Sequence, residues 1–182
     1  LAESFETAIK LADGIALVTV NAWQDTYGGM LPGHFLVGMS EVRHAERWRG
    51  ALRRVSRDTA VFVAEGADGI LAYGFCGPRR RSLPGGQEGE FYELYVDPMA
   101  QAKGLGRGLM AAMAGHLLSR RSRAGWVWVL RDNPARWFYQ RLGGKLAAEE
   151  TIRFAGKPVR QLGYLWPDRE ALERLIKAEN TG

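Results

Sequence analysis

The chain has 182 residues, of which 46% are hydrophobic and 25% are charged, and its formal net charge is +5. This length predicts one domain with a substantial core, and the composition is typical of a globular protein. A single cysteine, Cys76, excludes an intramolecular disulfide framework and a CxxC metal site. We therefore expect a reducing compartment and no metal.

The beginning of the sequence is acidic enough to argue against a secretion signal. The first 20 residues include Glu3, Glu6 and Asp13, whereas a signal peptide has a basic start and an apolar run. No stretch approaches the length of a transmembrane helix. We therefore expect a cytoplasmic protein that does not bind a membrane.

The N-terminal segment is expected to form a short first strand over residues 7–12, followed by a helix over about 14–27. Trp23 and Tyr27 are four residues apart, so they share one face of this helix. They are either anchors of the core or walls of a substrate pocket, because aromatic side chains bind organic groups and cations. Ser40 is expected to cap the next helix, over about 41–55.

A meander of three antiparallel strands is predicted in the middle of the chain. Residues 60–65 and 70–77 are rich in β-branched and aromatic side chains and are separated by a glycine-bounded turn, which predicts a hairpin. A loop over 78–86 contains three consecutive arginines and leads to the third strand, 90–96.

A glycine-rich turn joins strand 90–96 to a predicted helix over 105–119. A helix start made of small residues leaves backbone N–H groups unpaired and admits a phosphate or pyrophosphate. The turn lacks the Lys-Ser/Thr of a Walker loop and is one residue short of a dinucleotide fingerprint. It contains instead the pattern Q-x-x-G-x-G, from Gln101 to Gly106.

A second motif follows the next predicted strand, 126–130. That strand is reached through a helix, so it should run parallel to strand 90–96. The motif reads NPARWFYQRLGG over residues 133–144, with Pro134 at a helix start and Gly143 after the helix end.

The order of strand, Q-x-x-G-x-G turn, helix, strand and N…FY…G resembles the GNAT superfamily of acetyl-CoA-dependent N-acetyltransferases. The resemblance covers roughly residues 57–166. It implies an α/β (α+β) fold, with a mixed, mostly antiparallel sheet of six or seven strands flanked by helices. In this fold, a pair of parallel strands splays apart and binds coenzyme A. Residues 1–166 would form a single acetyltransferase domain, and 167–182 a helical extension.

The resemblance also implies roles for individual residues. Tyr139 would protonate the departing sulfur of coenzyme A, and Trp23 and Tyr27 would border the acceptor. The backbone of the splayed strand and the glycine-rich turn would hold acetyl-CoA, the cosubstrate, with two side chains from the second motif. These cofactor-binding residues are Leu94, Tyr95, Val96, Gln101, Ala102, Lys103, Gly104, Leu105, Gly106, Arg107, Gly108, Asn133 and Arg136.

The base that accepts the amine proton has three candidates. Strand 126–130 carries no carboxylate, whereas Glu90 lies at the start of the earlier strand, where some members of the superfamily place a glutamate. Glu93 competes with it, but the two-residue period of a strand predicts that it points to the opposite face. A chain of ordered water is the third candidate.

Two functions from different classes are compatible with these motifs. The favoured one is direct acetyl transfer to a primary amine of a small molecule or protein, in a ternary complex. The alternative is a non-catalytic module that binds coenzyme A or nucleic acid. The tryptophans fall mostly within strand and helix patterns, which favours core packing over a nucleic-acid surface.

The end of the chain is expected to form a closing hairpin, from residues 145–154 and 159–166, and a helix. Leu172, Leu175 and Ile176 follow helical spacing behind Asp168. This amphipathic helix packs either on its own domain or on a second subunit, in which case the protein is a homodimer.

Overall fold

The computed structural model describes residues 2–54, 56–81, 87–154 and 156–179. Within these residues the helices are α1 (Ala2–Thr26), α2 (Gly33–Val37), α3 (Glu41–Leu52), α4 (Leu105–Ser119), α5 (Ala135–Arg141) and α6 (Arg169–Glu179). The strands are β1 (Ala60–Gly66), β2 (Gly69–Pro78), β3 (Glu88–Val96), β4 (Ala124–Leu130), β5 (Lys145–Phe154) and β6 (Lys157–Trp166). Part of the predicted arginine-rich loop, residues 82–86, lies outside the described residues.

The six strands form one sheet in the order β1-β2-β3-β4-β6-β5. Every neighbouring pair is antiparallel except β3 and β4, which are parallel. The predicted mixed, mostly antiparallel sheet flanked by helices is therefore confirmed, with six strands.

The parallel pair is joined along only half of its length. β3 pairs with β4 from Glu88 opposite Ala124 to Phe91 opposite Val127. In the described part of the chain the two strands then continue without pairing, to Val96 and Leu130. We call residues 88–91 the paired half of β3 and residues 92–96 its open half.

A β-bulge separates these two halves of β3. Phe75 of β2 lies opposite Glu93, but the next residue of β2, Cys76, lies opposite Phe91, so Tyr92 is the extra residue. An extra residue reverses the alternation of side chains along a strand. Glu90 and Glu93 therefore lie on the same face of the sheet, and the prediction of opposite faces was wrong.

Helices cover both faces of the sheet. On one face α4 and α6 enclose the main core, which includes Phe91, Met113 and Trp166. Leu172 of α6 is fully buried in this core, so the C-terminal helix packs on its own domain. On the other face α1 and α3 pack over β1 and β2, through Ile15, Trp48 and Tyr73.

Helix α1 corrects one prediction, and helix α3 confirms another. Residues 7–12 are helical, as part of α1, and are not a strand. Ala12, Ile15 and Ala16 follow helical spacing and are completely buried, so packing against the sheet decides the conformation. The predicted cap of α3 is confirmed, because the Ser40 hydroxyl accepts the Arg43 N–H at 3.4 Å.

Candidate functional site

The candidate site is a cleft of about 1100 Å³ between the separated ends of β3 and β4. Its lining comes from the end of α1, the open half of β3, the turn before α4, the end of β4 and α5. The backbone of the open half therefore lies along the wall of the cleft. A ligand with alternating amide N–H and C=O groups can pair with such a wall as a strand would.

The turn before α4 forms one end of the cleft. Its backbone is left-handed at Gly104 (φ +78°) and at Ala102 (φ +61°), a conformation that reorients successive N–H groups. The Gly104 carbonyl accepts the N–H groups of Arg107 (3.0 Å) and Gly108 (3.1 Å), which closes the first turn of the helix. Lys103 and Arg107 line the cleft here and add positive charge.

This turn is held to α1 by a short chain of hydrogen bonds. One carboxylate oxygen of Asp97 accepts the Met99 N–H at 2.9 Å, and the other accepts the Asn21 amide at 3.0 Å. Asp97 therefore ends β3 and fixes the start of the turn at the same time.

Most of the predicted site residues lie in the lining of this one cleft. They are Tyr27, Leu94, Tyr95, Val96, Gln101, Ala102, Lys103, Gly104, Leu105, Gly106, Arg107, Asn133 and Tyr139. The structure therefore brings the two sequence motifs together around a single cavity.

Four other predicted site residues do not contribute to that lining. The Gly108 N–H is used within the helix start, as described above. The Arg136 guanidinium donates to the Arg131 carbonyl at 3.0 Å and lies 4.3 Å from the centre of the Trp137 ring. The remaining two, Trp23 and Glu90, are discussed below.

Glu90 is buried in a closed ion pair with Arg80. One oxygen accepts the Arg80 backbone N–H at 3.0 Å, and the other accepts its side-chain Nε at 2.9 Å and also its Nη2. The carboxylate is only 4% exposed and does not line the cleft. Geometry therefore disfavours Glu90 as the base.

Glu93, three residues further along, lies in the lining of the cleft. It accepts a hydrogen bond from the Tyr73 hydroxyl at 2.7 Å. Its nearest cation is Arg47, at 3.6 Å, beyond ordinary hydrogen-bond length, and that side chain is 56% exposed. Among the three carboxylates of β3, Glu93 is therefore the one that lines the cleft.

Tyr139 lies across the cleft, on α5. Burial raises the pKa of its phenol well above the usual value of 10, and the Tyr27 phenol raises it further. The group is therefore protonated at neutral pH and able to donate. Asn133 shapes the start of α5, because its side-chain oxygen accepts the Ala135 N–H at 2.8 Å.

The end of α1 and the segment that follows it carry a cluster of aromatic rings beside the cleft. Trp23 packs against Tyr27, Phe35 and Phe154, with ring centres 4.8, 6.1 and 5.8 Å away. Tyr27 lines the cleft, whereas Trp23 stands behind it. Both residues belong to this aromatic cluster, Tyr27 as a buried member that also lines the cleft and Trp23 as a partly buried one, so the roles of core anchor and pocket wall stay predictions.

Some lining residues were not predicted from the sequence. They include Met30, Tyr92, Trp128, Phe138 and Arg141. Trp128 alternates with Val127 and Val129 of the core, so strand periodicity gave a signal for the face that it occupies. Arg141 had no such signal, because its position depends on where α5 docks.

Within the described ranges there is no group of three His, Cys, Asp or Glu side chains arranged to hold a metal ion. None of the helices described here is both long and apolar enough to cross a membrane.

A sheet that opens between two parallel strands, beside a glycine-rich helix start, defines the acetyltransferase class to which the motifs pointed. The family model described as "Acetyltransferase (GNAT) domain" matches residues 57–143. A Bacillus subtilis (strain 168) protein named "Uncharacterized N-acetyltransferase YuaI" is 32% identical over 170 residues. That alignment covers 92% of this chain and 95% of the relative. The chain belongs to the GNAT superfamily of acetyltransferases.

Solved structures show the same fold at lower sequence identity. Salmonella typhimurium yncA, determined with acetyl-CoA, aligns with a TM-score of 0.63 and 20% identity over 86% of this chain and 88% of its own. The PaiA N-acetyltransferase of Thermoplasma acidophilum, determined with coenzyme A, gives 0.62 and 14% over 85% and 93%.

Proposed function

We propose that the protein transfers the acetyl group of acetyl-CoA directly to a primary amine of a small molecule or protein, in a ternary complex. The observation that carries this proposal is the open half of β3. It combines an unpaired backbone edge, a helix start suited to phosphate at one end, and an accessible carboxylate, Glu93, in one cleft.

The cofactor half of the cleft has the groups that coenzyme A requires. The backbone of Leu94, Tyr95 and Val96 would pair with the two amides of the pantetheine arm. The pyrophosphate would take N–H groups from the turn between Gln101 and Gly106, with Lys103 and Arg107 contributing charge. A Cβ on Gly106 would lie 3.4 Å from Phe138, which is an ordinary van der Waals contact, so a methyl group fits here and a long charged side chain is needed to test the approach.

The chemistry needs a proton acceptor and a proton donor on the two sides of the thioester. The bound cosubstrate would supply an electrophilic carbonyl. Glu93 would take the proton of the attacking amine, directly or through one water molecule. Tyr139, which burial keeps protonated, would donate to the departing sulfur. Much of the acceleration would come from holding the two reactants together.

The acceptor would enter beside Tyr27, on the α1 side of the cleft. Tyr27, Met30 and Asp25 line this region, which combines an aromatic wall with an acidic group. Such a wall would orient an amine-bearing molecule and attract its cationic form before deprotonation. We place the whole reaction in residues 1–166 and in the cytoplasm, with the remaining residues as a supporting extension.

The proposal is tested first by cofactor binding. Gly106→Glu adds bulk and negative charge at the helix start, so acetyl-CoA binding measured by calorimetry should be abolished. Gly33→Glu is the matched control, because an added side chain at Gly33 meets no atom within 4 Å and Gly33 does not line the cleft. Equal affinity of both variants would remove the turn from the site.

Transfer itself is tested with a panel of amines and detection of released thiol. The expected result is acetyl-CoA-dependent thiol release with at least one class of small amine, polyamine, amino acid or peptide N-terminus. Tight acetyl-CoA binding without release across the whole panel would favour the non-catalytic module.

A further inference from the structure

We infer that Tyr73 is a positioning residue for Glu93: it holds one carboxylate oxygen, Oε2, and thereby leaves Oε1 to accept the proton of the amine. This inference rests on the proposed function, because it assumes that Glu93 is the base. It assigns a role to a buried side chain of β2 that lies outside the two sequence motifs and outside the lining of the cleft.

The contacts form a chain that begins in the helix behind the sheet. The Thr19 hydroxyl lies 2.8 Å from the Ile15 carbonyl and 2.8 Å from the Tyr73 hydroxyl. The Tyr73 hydroxyl lies 2.7 Å from Glu93 Oε2. Thr19 is 1% exposed and Tyr73 is completely buried, so this chain is shielded from solvent until it reaches the carboxylate.

The single hydrogen of the phenol decides the direction of this chain. Thr19 and Glu93 compete for it, and an ionised carboxylate is the stronger acceptor. Tyr73 therefore donates to Glu93, and the single hydroxyl hydrogen of Thr19 goes either to the Ile15 carbonyl or to the Tyr73 oxygen. Burial raises the pKa of Tyr73 well above 10, and the Glu93 charge raises it further. The phenol therefore remains a donor throughout the working range of pH.

The alternatives to Tyr73 are weaker. Four ionisable groups face Glu93 from the elements packed around it: Tyr73 of β2, Arg47 of α3, Tyr27 at the end of α1, and Tyr95 of β3. Arg47 lies 3.6 Å from Oε1 and is largely exposed, so it is loosely held. The Tyr27 phenol is engaged in hydrogen bonds with Tyr95 and Asn133. Of these four groups, only Tyr73 combines a short hydrogen bond to Glu93 with a completely buried side chain.

The bulge in β3 makes this arrangement possible. Because Phe75 lies opposite Glu93 and Tyr73 lies opposite Tyr95, all four side chains share one face of the sheet. The Tyr73 ring is fixed there by Trp48 and Tyr95, with ring centres 5.3 and 5.6 Å away. Packing therefore fixes the position of the Tyr73 hydroxyl, and the hydrogen bond from this hydroxyl fixes the position of the Glu93 carboxylate.

The test is the pH dependence of turnover in Tyr73→Phe. This change keeps the ring and removes only the hydroxyl, so the fold and the KM for acetyl-CoA should be unchanged. Loss of a hydrogen bond to the charged form should move the acidic limb of the profile up by about one pH unit. Thr19→Val should cause a smaller shift in the same direction. Tyr164→Phe, which changes a buried tyrosine of β6 in the main core, should cause none.

The Glu93→Gln variant distinguishes a failure of this inference from a failure of the proposal that Glu93 is the base. In Glu93→Gln the acidic limb should disappear, and adding Tyr73→Phe should change nothing further. If Glu93→Gln keeps the wild-type limb, Glu93 is not the base and the inference falls with it. If Glu93→Gln loses the limb while Tyr73→Phe leaves it in place, only the role of Tyr73 is overturned.

The same comparison is possible without an acceptor. The carbon-13 chemical shift of the Glu93 carboxyl, recorded in the free protein at one neutral pH, should change in Tyr73→Phe, because the hydrogen bond at 2.7 Å is lost. An unchanged chemical shift would contradict the inference, whatever the amine substrate proves to be.

Discussion

The paired and open halves of β3 share a neighbour on one side, β2, but have opposite surroundings on the other. In the paired half, β4 completes the sheet, and the carboxylates of Glu88 and Glu90 are bound by Arg79 and Arg80. In the open half β4 no longer pairs with β3, and Glu93 lines the cleft. Carboxylates on one face of one strand are therefore bound by arginine where β4 is paired and line the cleft where β4 is not paired, which favours a structural role for the first group and supports the proposed chemical role of Glu93.

The paired half is reinforced by aromatic contacts as well as charge. The Arg79 guanidinium lies 3.9 Å from the centre of the Trp126 ring, and the Trp126 Nε1 donates to Glu88 at 3.0 Å. Trp126 in turn stacks on Trp128, with ring centres 6.1 Å apart. Because Trp128 lines the cleft, this rigid stack supports the point at which the strands separate.

The largest expected effect tests the contrast between the two halves of β3, by replacing Glu93 and Glu90, one at a time, with glutamine. Glu93→Gln should lower turnover by about 10²-fold or more, most strongly at pH values above the acidic limb of the profile, because it removes a general base. Glu90→Gln should leave the pH profile unchanged and lower the free energy of unfolding by about 1–3 kcal/mol, because it weakens a buried charged hydrogen bond. Steady-state kinetics and chemical denaturation measure the two quantities. The reverse pattern would reassign the base to Glu90, and two unchanged profiles would favour ordered water.

The next effect concerns the opposite wall of the cleft. Tyr139→Phe should lower kcat by about tenfold or more while the affinity for acetyl-CoA is retained, because it removes only a proton donor. Since burial raises the pKa of this phenol above 10, the wild-type profile should show no alkaline loss from Tyr139 below that pH. An enzyme with unchanged kcat in Tyr139→Phe would assign this residue to packing alone.

A smaller effect should distinguish Tyr27 from Trp23. Tyr27→Ala should raise the acceptor KM a few-fold to some tens-fold, because a cation–π contact is worth roughly 0.5–2 kcal/mol, and should leave the KM for acetyl-CoA nearly unchanged. Trp23→Ala should instead lower the melting temperature, because Trp23 packs among several rings. If Tyr27→Ala or Trp23→Ala folds stably and keeps the wild-type KM for the acceptor, the replaced residue is not a wall of the acceptor pocket.

The smallest effect is expected at the exposed end of the paired half. Burial would raise the pKa of Glu88, but hydrogen bonds from Trp126 and Arg79 outweigh it and lower the pKa below its ordinary value of 4.5. The stabilisation is therefore complete above pH 4.5 and is lost as the pH falls through the lower folded value. Glu88→Gln should cost less than about 1 kcal/mol at pH 7, and the difference should shrink in acid. A difference that grows in acid would contradict this sign.

Sequence predicted the parts of the site that depend on neighbouring residues in the chain. The turn before α4 and the start of α5 follow from local spacing of glycine, proline and apolar residues, and both occur where expected. The helical conformation of residues 7–12 was missed, because it depends on burial of one helix face against β2.

Other features were beyond the reach of the sequence because they depend on pairing between distant segments. The extra residue at Tyr92 has no local signature, since it is defined only by the register of β2 against β3. The pairing of Arg80 with Glu90 likewise arises from that register, so the residue that looked like the base proved to be enclosed.

The separation of β3 and β4 also gives the molecule an interior sheet edge. Alternate N–H groups along residues 94–96 point away from β2, toward the cleft. In the protein without cosubstrate, these amides should exchange with heavy water faster than those of residues 88–91. A ligand that pairs with the edge should slow them, and at 100 times its Kd it should stabilise the whole fold by about 2.7 kcal/mol. Binding of such a ligand would thus complete the hydrogen bonding of this sheet edge.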